Sequence, residues 1–246
     1  PADLPASHAY GVDFSHDSTY LVVAHWDSPY ITIYKRSGDT FTKLANPADL
    51  PTGYAYGVDF SHDSTYLAVA HWNSPRITIY KRSGDTFTKL ANPADLPTGY
   101  AYGVDFSHDS TYLAVAHSSS PYITIYKRNG DTFTKPANPA DLPTGYAFSI
   151  AFSHDSTYLA VAHYASPYIN IYKYSALSTE YFYQWIIGRV DNYSLSTVAG
   201  KEVCTITGRD FMRAILDYKL YSPNTYWGGI QTFNTVADRA KYPMEA

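Results

Sequence analysis

The 246-residue chain is 45% apolar and 16% charged, a balance that excludes a disordered protein and allows one or two domains with a substantial core. A net charge of −4, with Lys-Arg pairs recurring singly once per repeat, leaves no nucleic-acid footprint, and no run is long or apolar enough for membrane insertion. The single cysteine, Cys204, excludes an internal disulfide framework.

The chain opens on "PADLP", which elsewhere follows an asparagine (Asn46, Asn92, Asn138), so it starts inside a repeat and is expected to be a piece of a longer protein. One stretch then recurs from Gly11, Gly57, Gly103 and Ser149, giving units over 1–46, 47–92, 93–138 and 139–175. Within the second copy, "GVDFS" (57–61) puts Val58 and Phe60 on one side of a short strand. "SHDST" has tight-turn chemistry. "TYLAVAH" (65–71) is apolar on both faces, as expected of a strand sandwiched between neighbouring sheets. "WNSP" interrupts, since Pro75 cannot donate within a ladder. "RITIYK" (76–81) is a third strand, "RSGD" a hairpin turn with Gly84 available for positive φ, and "TFTKL" a more polar fourth strand. "ANPADLPTGY" makes the crossing to the next copy.

Four antiparallel strands per 46-residue unit define the expected fold: all-β, a β-propeller of four blades, followed by a small α+β segment over 176–246. A parallel β-solenoid is the alternative, but its coils are shorter and lack such hairpins. The spacing "FSHDSTYLAVAH…ITIYK" resembles the WD-repeat class over residues 1–175, although Tyr34, Tyr80, Tyr126 and Tyr172 stand where that family carries Trp. Four blades raise the question of closure, because an open ring leaves apolar faces uncovered. A tight four-bladed ring, upstream blades, or a homodimer completing the ring would each answer it.

Residues 51–90 and 97–136 differ at five positions, and three of them cluster: Trp72/Ser118, Asn73/Ser119 and Arg76/Tyr122. Across the four copies these columns read Trp26, Trp72, Ser118, Tyr164; Asp27, Asn73, Ser119, Ala165; and Tyr30, Arg76, Tyr122, Tyr168. All lie in or beside the loop joining the second and third strands. In a propeller that loop shares one face with the crossing that carries Tyr54, Tyr100 and Tyr146, with His8 in the first copy. Exposed loops drift freely. Aromatics, Arg and short polar residues are also what recognition surfaces favour, and rings beside Asp and Asn suit carbohydrate. The candidate ligand-binding residues are therefore Trp26, Asp27, Tyr30, Trp72, Asn73, Arg76, Tyr122, Tyr164 and Tyr168.

"SHDS" brings Ser, His and Asp side by side at 15–18, 61–64, 107–110 and 153–156, but neighbours in a turn point apart, and turn chemistry explains the motif. His25, His71, His117 and His163 end the second strand of each copy and read as structural histidines joining strands or loops. No phosphate-binding Gly loop or zinc spacing is present, so no cofactor, no metal and no enzymatic activity are expected.

After Ser175 the texture changes. "WIIGRVDNYSL" (185–195) and "EVCTITG" (202–208) read as strands, and "RDFMRAILDYKL" has helical spacing through Phe211, Ile215 and Tyr218. The letters "GRVDNYSL", "EVCTITGRDFMRAILDY" and "KLYSP" (about 185–223) resemble the hub-like tail proteins of long-tailed bacteriophages. That resemblance implies structural roles for Gly208, Arg209 and Asp210, a place in a virion tail and other phage tail proteins as partners. The combined expectation is a non-enzymatic module contacting a host-surface glycan or protein through the aromatic loop face. The alternatives are a self-assembly element and a free-standing multivalent lectin.

Overall fold

The computed structural model describes residues 1–175 and, beyond them, the strand residues 181–185, 190–198, 201–208, 219–220 and 231–232. The contacts divide the chain into two units, Pro1–Trp185 and Ile186–Ala246.

The first unit holds four sheets, each of four strands paired antiparallel in chain order. They are β1 to β4 (Ala9–Phe14, Tyr20–His25, Ile31–Ser37, Thr40–Lys43) and β5 to β8 (Ala55–Phe60, Tyr66–His71, Ile77–Ser83, Thr86–Lys89). The third sheet is β9 to β12 (Ala101–Phe106, Tyr112–His117, Ile123–Asn129, Thr132–Thr134), and the fourth is β13 to β16 (Ala147–Phe152, Tyr158–His163, Ile169–Ser175, Tyr181–Trp185). The expected strands appear within a residue or two of their places. The innermost strand starts earlier than expected, because a register shift between Ala55 and Gly57 carries the ladder on to His71. The β7–β8 hairpin turns on Gly84 at φ +58°, where a side chain would be strained.

Blades meet through their faces. Val22, Ala24, Ile31 and Ile33 of the first blade form one buried cluster with Val58, Phe60, Leu67 and Val69 of the second. The same columns rebuild the cluster at the next two junctions. That is why β6 and β10 are buried at every residue: both faces are covered. The inner strands come close enough that a Cβ on Gly57 would lie 2.8 Å from the Tyr102 carbonyl oxygen, so the repeat keeps glycine there. One residue pair along, Asp13 Oδ2 accepts from the Phe60 amide at 2.8 Å, and Asp59 and Asp105 repeat the clamp on Phe106 and Phe152 at 2.7 and 2.6 Å. Tyr34, Tyr80 and Tyr126 are fully buried, and each hydroxyl donates to an inter-blade crossing carbonyl, of Asp3, Asp49 and Asp95 respectively.

The fan of blades is propeller-like but does not close on itself. Val12 is 65% exposed where Val58 is 8%, and Ile169 is 51% exposed where Ile123 is 1%. The outer strand of the fourth sheet is Tyr181–Trp185, six residues past Ser175.

In the second unit β17 (Val190–Val198) and β18 (Lys201–Gly208) form a hairpin in which Val198 pairs with Lys201. The strand expected over 185–195 is displaced, because Trp185 already belongs to β16. The helix expected over 209–220 falls outside the described residues save at its end. There Lys219–Leu220 is a strand, β19, paired with Gln231–Thr232, β20, so cross-strand pairing replaces helix at that end. Arg209 and Asp210 lie outside the described residues.

Candidate functional site

The loop between the second and third strands is closed by two backbone hydrogen bonds. In the first blade the Tyr30 amide donates to Asp27 O at 2.8 Å, and the His25 amide donates to Tyr30 O at 2.8 Å. This places residue 30 and its counterparts Arg76, Tyr122 and Tyr168 at φ +67° to +70°, a left-handed backbone that bulky side chains rarely adopt. All four copies hold this strained conformation at the same place on the loop face.

The predicted residues fall into two states. Trp26 lies flat on Tyr54, with ring centroids 3.7 Å apart and planes 10° from parallel, and Trp72 lies on Tyr100 at 3.6 Å and 11°. Each indole thus gives one face to the next blade. Asn73 is also engaged, its Nδ2 donating to Thr52 O at 3.0 Å, and the Arg76 guanidinium reaches Pro97 O at 3.4 Å. Asp27 is exposed while its amide donates to Ser7 Oγ at 2.7 Å. Tyr30 and Tyr122 are half-buried, standing 6.4 Å from Tyr54 and 6.2 Å from Tyr146. At the fourth blade the pattern inverts: Tyr146, Tyr164 and Tyr168 are 52%, 71% and 65% exposed. The structure therefore brings the candidates together in sets at successive junctions and leaves the last set open.

The histidines divide as well. His25, His71 and His117 are buried against Thr32, Thr78 and Thr124, with Nε2 at 3.0–3.1 Å from each hydroxyl. Burial pushes His71 and His117 down to about 4, so they are neutral at physiological pH, as structural histidines should be. In "SHDS", Ser15 Oγ donates to Asp17 Oδ1 at 2.6 Å and accepts from the Tyr20 amide at 2.8 Å, while Thr19 N donates to the same carboxylate oxygen. The Ser and Asp are consumed by the turn, as expected.

The histidine inside that turn does something the motif did not foretell. His16, His62, His108 and His154 form a ladder with ring centroids 3.5, 3.5 and 3.7 Å apart. With Asp13, Asp59 and Asp105 they line an open cavity of about 320 Å³. Burial pushes the Asp105 carboxyl up to about 7, and burial with the charges of Asp105 and Asp13 holds Asp59 well above the ordinary range. Desolvation, then the neighbouring imidazoles, lower His62 and His108. The signal was the period itself, since residues one repeat apart on the innermost strands converge in a propeller. Among the described residues no group of three or more His, Cys, Asp or Glu is disposed to hold a metal ion.

Comparison with solved structures supports a propeller-like repeat fold. A protein from Bacteroides uniformis assigned as a 6-phosphogluconolactonase is 13% identical, with 90% of this chain and 68% of that one covered and a TM-score of 0.53. A protein from Lactobacillus plantarum is 16% identical, with 94% and 71% covered and a TM-score of 0.57. A chain of the mitotic checkpoint complex is 14% identical, with 74% of this chain but only 52% of that one covered, at a TM-score of 0.53. No family model and no curated protein matches the sequence. The expectation that the chain is no enzyme is corrected: a fold of this kind is found in an assigned enzyme. That expectation rested on reading "SHDS" as turn chemistry and on the lack of a phosphate-binding Gly loop or zinc spacing, and it left the His and Asp groups that line the cavity out of account.

Proposed function

We propose that the chain is a recognition module, an array of propeller-like blades that contacts a host-surface glycan or protein through its loop face at the fourth-blade end. The observation that carries this reading is the exposure of Tyr146, Tyr164 and Tyr168, at 52%, 71% and 65%, beside junctions where the counterpart indoles are already stacked. Exposed aromatics grouped on a built loop are the anchors recognition surfaces use. Membership of the WD-repeat class and a place on a virion tail, beside other tail proteins, are favoured by the sequence resemblances alone. A ring completed by a second copy is the weaker setting. Ser149 and Ala151 replace the glycine and the aspartate that serve every internal junction, so the fourth blade does not offer the next blade the same fit.

The test is attachment of the labelled protein to a panel of bacterial cells and to a glycan array. Replacing Tyr146, Tyr164 and Tyr168 together by Ala should weaken any attachment at least tenfold, since truncating a hot-spot residue costs about 2 kcal/mol or more. Unchanged attachment overturns the reading.

A second reading is favoured by one observation, the Asp105 carboxyl near 7 in the cavity that holds the His ladder. A carboxyl poised there suits general acid–base chemistry. Turnover of a lactone panel that disappears in Asp105→Asn would support it, and absence of turnover by the native protein would remove it.

A further inference from the structure

The first two junctions show what the third one lacks. Trp26 and Trp72 fill the space over Tyr54 and Tyr100 as flat stacks, and the third copy has Ser118 at that position. The backbone is the same in each case: the Trp26 amide donates to His8 O, Trp72 to Tyr54 O and Ser118 to Tyr100 O, at 3.1, 3.0 and 3.0 Å. The platform is also still in place. Tyr146 keeps its distance from Tyr122 at 6.2 Å, as Tyr54 does from Tyr30 at 6.4 Å. The Ser118 hydroxyl is committed elsewhere, accepting from the Tyr100 amide at 2.9 Å. The junctions also differ at Asp27/Asn73/Ser119 and Tyr30/Arg76/Tyr122, and Tyr164 stands 6.5 Å from Tyr146, but the missing indole is the change that uncovers the ring, leaving Tyr146 52% exposed against 39% for Tyr100.

We infer that this slot over Tyr146 is a binding site for a planar aromatic group, of which the indole of a partner's tryptophan is the matching size. The inference rests on the loop face being a contact surface and names the chemistry it takes. The fit is argued from the molecule itself, because two sibling slots hold an indole at stacking distance on the same Tyr with the same backbone. Aromatic pairing of this kind is modest, so a single ring is expected to bind with a dissociation constant on the order of 1 mM.

The probe is N-acetyl-tryptophanamide, followed by saturation-transfer NMR and by the shifts of the Ser118 and Tyr146 amides, with N-acetyl-leucinamide as the control. The native protein should bind the aromatic amide and not the leucine one. Ser118→Trp, which restores the sibling residue, should abolish binding, and Tyr146→Ala should do the same. Trp72→Ser should open a second slot over Tyr100 and raise the bound equivalents from one to two. No binding to the native protein, or equal binding to Ser118→Trp, overturns the inference. If the amide fails to bind while the Tyr164 and Tyr168 changes still abolish cell attachment, the slot falls and the loop-face reading stands. If the amide binds the slot and no loop-face change affects attachment, the slot stands and that reading falls.

Discussion

The loop face carries aromatic rings both at its first two junctions and at its fourth blade, yet the two regions are in opposite states. At the first, each indole lies against the tyrosine of the next blade, and the variable letters serve as mortar. At the fourth, Tyr164 and Tyr168 have no described blade beyond them and stand 71% and 65% exposed. The blade faces beneath repeat the contrast: Ile123 is sealed and Ile169 is half open, although Ser-Pro-Tyr precedes both. A repeat therefore does not determine its own burial. The adjoining blade does, and the same letter is structural in one place and available in another.

The largest break in that comparison comes from the core. Ile123→Ala should cost about 2–5 kcal/mol of unfolding free energy, whereas Ile169→Ala, partly solvated already, should cost less than about 1 kcal/mol by denaturant titration. Equal costs would mean the outer face of the fourth blade is covered as thoroughly as the internal ones.

The axis gives the next effect, with a definite sign in pH. The Asp105 carboxyl is raised in the folded state, so its contribution is fully present below pH 4 and is lost as pH rises to about 7. His71 and His117 are lowered to about 4 and act in the opposite sense, losing stability as pH falls from 6.5 towards 4. Asp105→Asn isolates the first term. Its stability relative to the native protein should rise by roughly 1–4 kcal/mol between pH 4 and pH 8. A pH-independent difference would contradict the buried, neutral carboxyl.

A smaller effect sharpens the loop comparison. Arg76 sits at φ +68°, so Arg76→Gly relieves left-handed strain of about 1–2 kcal/mol while loosening the unfolded chain by a similar amount. The net change in midpoint should be under about 1 kcal/mol. A loss well beyond that would assign the Arg76 guanidinium a bracing role at the junction.

Much of the fold was legible because strand chemistry is local. The doubly apolar "TYLAVAH" became a strand buried on both faces, and Gly84 marked its hairpin. The part played by Tyr34, Tyr80 and Tyr126 became legible only with the structure, since each of these hydroxyls bonds a carbonyl 31 residues earlier. The His ladder was hidden for the same reason. His16 and His62 look like turn residues one repeat apart, and only blade geometry brings their rings to 3.5 Å. At the site, the clustered variable letters were visible, but not which of them are stacked and which are open. That distinction depends on whether another blade follows.

The most direct test of the account separates those two states in paired measurements of stability and attachment. Trp72→Ala should lower unfolding free energy by about 1 kcal/mol or more through the lost stack, and leave attachment to the cell panel within twofold. Tyr164→Ala should leave stability within about 0.5 kcal/mol and weaken attachment severalfold. The reverse pattern, with binding lost at Trp72 and stability lost at Tyr164, would contradict the assignment of the open fourth-blade face as the recognition surface.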